Sequence, residues 1–182
     1  MNREDIDLDM LRELIQQEAA EQIKERLADL HPADIAELCD ELDVDEAGFI
    51  YQILDNEEAA DVLIEMDEDA RKDILDTLPS ETIAKKFVDY MDTDDAVDII
   101  REMDEEKQEE VLSHIEDIEQ AGDIVDLLKY DEDTAGGLMG TEMVIVKENW
   151  SMPECLREMR MQAEEMDEIY YVYVVDDEER LR

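Results

Sequence analysis

The sequence predicts a mainly α protein: a curved superhelical array of short helical repeats, followed by a strand-helix-strand segment. Three observations carry that expectation. Start positions recur every 12 or 13 residues through the first 130 residues, with apolar residues at fixed offsets from each. Runs rich in β-branched and aromatic residues follow only after residue 142. Three of the five glycines fall between residues 130 and 141, where the two regimes meet. Glycine admits positive φ and close backbone approach, so this cluster is expected to mark a change of direction. The expected organisation is a helical-repeat domain over residues 1–130 and a second unit over 131–182.

Residues 6–27 carry Leu11, Leu14, Ile15, Ile23 and Leu27 at helical spacing, which predicts one long or two short helices. The repeat then starts at His31, Asp43, Asp55, Asp67, Ser80, Asp92, Asp104 and Asp117. Apolar residues sit at offsets 7, 8 and 11, from Leu38, Cys39 and Leu42 through to Ile124, Val125 and Leu128. Those offsets share one helix face, and the starts are mostly good N-caps. Asp43 with Glu46, and Asp55 with Glu58, have capping-box spacing. Offset 4 is often alanine (Ala47, Ala59, Ala84, Ala96, Ala121), which permits close helix contact. Each unit of about two turns is too short to survive alone, so stacked neighbours must share a seam. Cys39 stands where Leu63 and Ile100 stand and is expected in the core, as are Met66, Met91 and Met103. His31, before Pro32, suits a helix start, and His114 has no ligand partner nearby in sequence. Neither histidine reads as metal-binding or catalytic.

Beyond the glycines, residues 143–146 read as a short strand. Ser151 can cap a helix, with Pro153 in its first turn and Glu154 completing a capping box. Leu156, Met159 and Met166 would supply its apolar face. Residues 169–175 read as a buried strand, 176–179 as a turn, and 180–182 as the start of a partner strand. One strand would leave an open edge, so the chain is expected to be a piece of a longer protein.

Of the 182 residues, 58 are acidic and 16 basic, a formal charge of -42. With 44% apolar residues the chain can still bury a core. No basic stripe is visible, which argues against nucleic acid, and an anionic membrane surface would repel the chain. Cations are what such a surface attracts. Two like charges ~10 Å apart repel by only roughly 0.4 kcal/mol in water, but dozens of them favour any multivalent cation that binds. A solvating surface, as in salt-adapted proteins, is the plainer alternative. Cys39 and Cys155 are lone thiols outside any C-x-x-C pattern, which fits a reducing compartment. No signal peptide is apparent, and the apolar run that includes residues 170–175 is too short to span a bilayer. The chain is expected to be soluble.

Offsets 2 and 6 place carboxylate pairs opposite the apolar seam: Glu57/Asp61, Asp69/Asp73, Asp94/Asp98, Glu106/Glu110 and Glu119/Asp123. Each like-charged pair costs a helix roughly 0.2–0.5 kcal/mol, which a hard cation would offset. A solvated face explains any single pair as well, and spacing alone does not choose among five. A calcium loop over 131–142 fails, because Ala135 offers no side-chain oxygen and a strand follows. No nucleophile–base pair, phosphate loop or His/Cys cluster appears, so the chain does not read as an enzyme.

Leu30-His-Pro-Ala-Asp-Ile-Ala-Glu-Leu38, the helical repeat, Asp133-Thr-Ala-Gly-Gly-Leu-Met139 and Ile169-Tyr-Tyr-Val-Tyr-Val-Val-Asp176 together resemble the cytosolic part of MgtE-type magnesium transporters. The resemblance covers nearly the whole chain and implies that residues from about 134 begin the first of two CBS domains. It implies a cytosolic Mg²⁺ sensor in a homodimer on the cytoplasmic face of the membrane. Ions would bridge its acidic faces and favour pore closure at high Mg²⁺, and repulsion would separate them at low Mg²⁺. Carried over by position, it implies Asp61, Asp94 and Asp98 as acidic metal ligands and Gly137 as a backbone contributor. Mg²⁺ is the expected ion, with Mn²⁺ or Ca²⁺ as alternatives, and an adenosine nucleotide would need the rest of the CBS pair. The expected partners are Mg²⁺, the remaining CBS domains and the membrane domain of the same chain. The competing reading is a helical-repeat scaffold for a protein partner, with a nucleotide-binding CBS module.

Overall fold

The structure, a computed structural model, describes residues 6–163, 166 and 169–182. Its helices are α1 (Leu8–Gln16), α2 (Ala20–Leu27), α3 (Pro32–Asp40), α4 (Val44–Ile53), α5 (Asn56–Ile64), α6 (Glu68–Thr77), α7 (Ser80–Lys86), α8 (Thr93–Arg101), α9 (Glu105–His114) and α10 (Ile118–Leu127). Then come β1 (Val144–Lys147), α11 (Met152–Gln162) and β2 (Val172–Val175). The fold is mainly α, as the repeat predicts.

Residues 6–27 form two helices. The break is a Schellman turn: Glu18 takes φ 51°, its N–H donates to Ile15 O, and the N–H of Ala19 donates to Leu14 O. Side chains of Asp43, Asp55, Asp67, Asp104 and Asp117 accept from first-turn amides, and His31 Nδ1 accepts from Ala33 N–H. Asp43 and Glu46 form the full box, whereas only the Asp55 half of the second box is made.

The predicted core residues are inside. Leu63, Phe87, Val88 and Ile100 are fully buried, and Cys39 is buried with its thiol pushed up to about 12, chiefly by desolvation. Ala59, Ala84 and Ala96 are buried where helices approach. Val125, in the last unit, is exposed.

The stacking itself differs from simple succession. Packing runs between every second helix, α3 with α5, α5 with α7, α7 with α9, α4 with α6 and α8 with α10. The 12–13-residue spacing therefore measures half of the structural unit. Polar bonds span a longer interval, from α7 back to the end of α4, from α9 to α6, and from α10 to the segment after α7. Lys86 donates to Leu54 O, Lys107 to Leu75 O, and Gln120 to Val88 O and Met91 O. These side chains satisfy carbonyls at the ends of neighbouring helices, where intrahelical partners run out.

One unit is broken. After Lys86 the backbone of Phe87 leaves the helix (φ -120°, ψ -65°), and Val88–Tyr90 forms a 3₁₀ turn. Phe87 and Val88 stay buried, but the seam is met from two short segments, not the one helix expected.

β1 and β2 pair in parallel, with Val144 opposite Val172, and α11 crosses between them. Glu154 accepts from the Ser151 N–H and hydroxyl at the expected helix start. Beyond β2, Leu181 bridges Val175 in the antiparallel sense. Asp176 organises that turn. It is held below the usual carboxylate range first by the Arg180 backbone N–H, then by the Arg180 side chain, the Glu178 N–H and Arg182.

Two expectations need correction here. Residues 169–175 are not a buried strand: only 172–175 pair, and Tyr170, Tyr171 and Tyr173 are exposed. The α11 face is likewise open, with Leu156 exposed and Met166 beyond the helix end. A two-stranded sheet with one crossover helix has too few layers to cover these side chains.

Candidate metal centre

Helix α8 carries the site. Its N-cap, Asp92, makes no side-chain capping bond. The donors of Thr93, its first residue, are met from 49 residues away. The Thr93 N–H donates to Glu142 Oε1 at 2.9 Å, and the Thr93 hydroxyl donates to Glu142 Oε2 at 3.0 Å. The Thr141 N–H donates to Thr93 Oγ1 at 3.0 Å, and the two threonine hydroxyls lie 3.1 Å apart. Thr93 is the buried polar residue of this clasp, 2% exposed. A carboxylate at a helix N-terminus is favourable, so Glu142 both caps α8 and ties the segment after the glycines to the array.

That clasp concentrates negative charge. Among the described residues, Asp92, Asp94 and Glu142 are the one group of three side chains whose ligand atoms lie within 4.8 Å of one another and could hold a metal. Asp61, on α5, joins them across a cleft of about 690 Å³ whose walls include His31, Asp61, Asp92, Asp94 and Glu142. Asp61, Asp92 and Glu142 also line a neighbouring cleft of about 750 Å³, together with Glu57, Asp117 and Asp123. The donors are all carboxylates, which suits a hard cation. Octahedral Mg²⁺ sets ligand edges of ~3 Å, from Mg–O bonds of ~2.1 Å, so water would complete any shell built on this spacing.

The four residues singled out by resemblance fall into two places. Asp61 and Asp94 share the cleft with Glu142. Asp98 and Gly137 lie at the other end of α8. Asp98 is exposed and paired with Arg101, whose Nη1 stands 3.2 Å from Asp98 Oδ1 and 3.5 Å from the Gly137 carbonyl. Of the remaining carboxylate pairs, Asp69, Asp73, Glu106 and Glu110 point to solvent. Sequence reasoning passed over Asp92, Thr93, Thr141 and Glu142. The signal was available in part: Thr93 and Asp94 follow an Asp at a helix start, but no spacing rule links them to residue 142.

The glycines serve close approach, since none among those described has positive φ. A Cβ on Gly136 would come within 2.5 Å of the Tyr130 ring, and one on Gly137 would run into the backbone of Asp131 and Glu132. A Cβ on Gly140 would stand 2.9 Å from Glu142 Oε2 and 3.4 Å from Asp94 Oδ1. Gly140 thus leaves room for the two carboxylates to face each other.

The family described as the MgtE intracellular N domain matches residues 30–133. The chain is similar to the magnesium transporter MgtE of Thermus thermophilus, 31% identical over 173 residues, which is 94% of this chain and 38% of that protein. It is also similar to the magnesium transporter MgtE of Enterococcus faecalis, 43% identical over 63 residues, which is 35% of this chain and 14% of that protein. Among solved structures, it resembles the soluble part of a magnesium transporter, with a TM-score of 0.81 and 31% identity over 96% of this chain and 68% of that one. It also resembles the cytosolic domain of the Mg²⁺ channel MgtE in complex with ATP, with a TM-score of 0.85 and 30% identity over 97% of this chain and 71% of that one. The chain spans 38% or less of the length of these curated relatives.

Proposed function

Because the chain belongs to the MgtE intracellular N domain family, we propose that it is a non-enzymatic, cytosolic regulatory part of a magnesium transporter. In this reading, residues 1–130 and 131–182 are two modules, and intracellular Mg²⁺ holds them together. The supporting observation is the meeting of Asp92 and Asp94, from the array, with Glu142, from beyond the glycines, within 4.8 Å. At such distances each carboxylate pair repels by roughly 1 kcal/mol in water and 4 kcal/mol near a protein surface. A divalent cation reverses the sign of that energy. High Mg²⁺ then favours the compact arrangement and a closed pore, while low Mg²⁺ lets repulsion part the modules. The larger protein would supply the membrane domain, the rest of the CBS pair and a homodimeric partner. An adenosine nucleotide is a second candidate ligand, supported by the similarity to a cytosolic domain solved with ATP.

The test is thermal unfolding of the chain with Mg²⁺ and with NaCl at matched ionic strength. Mg²⁺ at about ten times its Kd should raise Tm by roughly 3–6 °C. Glu142→Gln keeps an acceptor for Thr93 but removes a charge. It should lose most of the Mg²⁺ response. Equal shifts with NaCl would reduce the effect to screening and contradict the reading.

A further inference from the structure

The stretch from Leu127 to Glu142 is fastened to both ends of α8, and the two fastenings differ in charge. At the N-terminus Glu142 accepts from the Thr93 N–H and hydroxyl, and its carboxylate is held against those of Asp92 and Asp94, acid beside acid. At the C-terminus the contact is Arg101, and its acceptors come from three parts of the chain. Its guanidinium donates to Asp98 Oδ1 at 3.2 Å, to Tyr130 O at 3.0 Å, to Leu127 O at 3.4 Å and to Gly137 O at 3.5 Å. The side chain is 18% exposed, so these are not contacts of a freely solvated surface residue.

The acceptors suit a fixed cation. Leu127 ends α10, and a positive charge at a helix C-terminus is favoured by the backbone dipole. The planar fork of a guanidinium can reach several carbonyls at once, which an ammonium does less well. The loop it grips is already built. The Thr134 hydroxyl and N–H donate to Asp131 O, while the N–H groups of Gly137 and Leu138 donate to Thr134 O. That turn packs Gly137 so tightly on residues 131–132 that a side chain there would collide with backbone. Its carbonyl is therefore presented at one fixed place, beside Arg101.

We propose that Arg101 is a positioning residue, a cation supplied by the chain itself that closes the Asp98–Gly137 joint without a metal ion. The proposal rests on the reading of the Glu142 joint as the ion-dependent one. The C-terminal joint acts as a hinge that stays fastened when Mg²⁺ leaves, and only the N-terminal joint opens. Arg101 also decides which of the acidic positions takes a divalent ion, because an ion between Asp98 and Gly137 must first displace the guanidinium.

Hydrogen exchange followed by mass spectrometry tests this on the 182-residue chain, with separate readouts at residues 128–138 and 139–147. In the unaltered chain, exchange of 128–138 should be the same in EDTA and in millimolar Mg²⁺, while 139–147 should slow with Mg²⁺. Arg101→Gln should speed exchange of 128–138 in EDTA by roughly tenfold or more, and Mg²⁺ should restore part of the protection. Arg101→Lys keeps the charge but not the planar fork and should retain part of it. The proposal is overturned if 128–138 in the unaltered chain loosens in EDTA as much as in Arg101→Gln, or if Arg101→Gln leaves it unchanged. Should Arg101→Gln loosen the whole chain, Arg101→Lys decides: protection regained supports a cationic clasp, and none regained overturns it. Failure of 139–147 to respond to Mg²⁺ sinks the Glu142 reading, and the behaviour of 128–138 still decides the role of Arg101.

Discussion

Replacing Phe87 with alanine is expected to cost about 4 kcal/mol, the largest loss from any single side chain considered for this fold. Phe87 is fully buried and meets the Tyr51 ring edge-on, with centroids 5.9 Å apart at 76°. It stands where α7 ends and the 3₁₀ turn begins, accepting from the Tyr90 N–H and donating its own N–H to Ile83 O. Such a site cannot collapse easily, because both chain segments are held by their own bonds, so the cavity remains open. For a chain of this length the loss should lower Tm by roughly 8–16 °C. Urea denaturation of Phe87→Ala beside Phe87→Leu measures it, and the leucine should recover more than half. A loss for Phe87→Ala below about 1.5 kcal/mol would mean that the break in the seventh unit is soft.

The second large effect is expected at Arg71. Its guanidinium pairs with Glu102 and also donates to Ile64 O at 3.0 Å and to Leu63 O at 3.4 Å, closing the end of α5. Burial would lower the guanidinium pKa, but the hydrogen bond and charge of Glu102 more than reverse this and raise it. The two side chains are only 14% and 10% exposed. Arg71→Met therefore strands a nearly buried carboxylate and at least one carbonyl, and should cost about 3 kcal/mol. Arg71→Met with Glu102→Met removes the orphaned charge and should recover about half. A double-mutant cycle in urea gives the coupling. Strictly additive losses would show that the pair does not act as a unit.

Much of the array was legible because its information is local. A cap, an alanine at offset 4 and apolar residues at offsets 7, 8 and 11 specify one helix and one buried face. They do not say which helix that face meets, and so the packing of every second helix was not visible. The same limit hid the centre. Asp61 and Asp94 came from resemblance, and they do share a cleft. Glu142 is a capping residue supplied from 49 positions away, and no helix-start rule reaches that far. Arg101 gave no signal in the sequence, because its acceptors at Leu127 and Tyr130 lie 26 and 29 residues away. The exposure of Tyr170 and Tyr171 was misread for another reason. Composition predicts that a strand wants covering, not whether the cover is present.

The central claim is that a divalent cation joins the N-terminus of α8 to Glu142. Crystals of the chain grown with Mn²⁺, a heavier hard cation, test this by anomalous scattering. The account predicts a peak among the carboxylates of Asp92, Asp94 and Glu142, with at least one of them at direct bonding distance, roughly 2–2.5 Å. Glu142→Gln should weaken that peak or abolish it. An ordered α8 and Glu142 at saturating Mn²⁺ with no peak between them, or a peak held by Asp98 and Gly137 with Arg101 swung away, would contradict it.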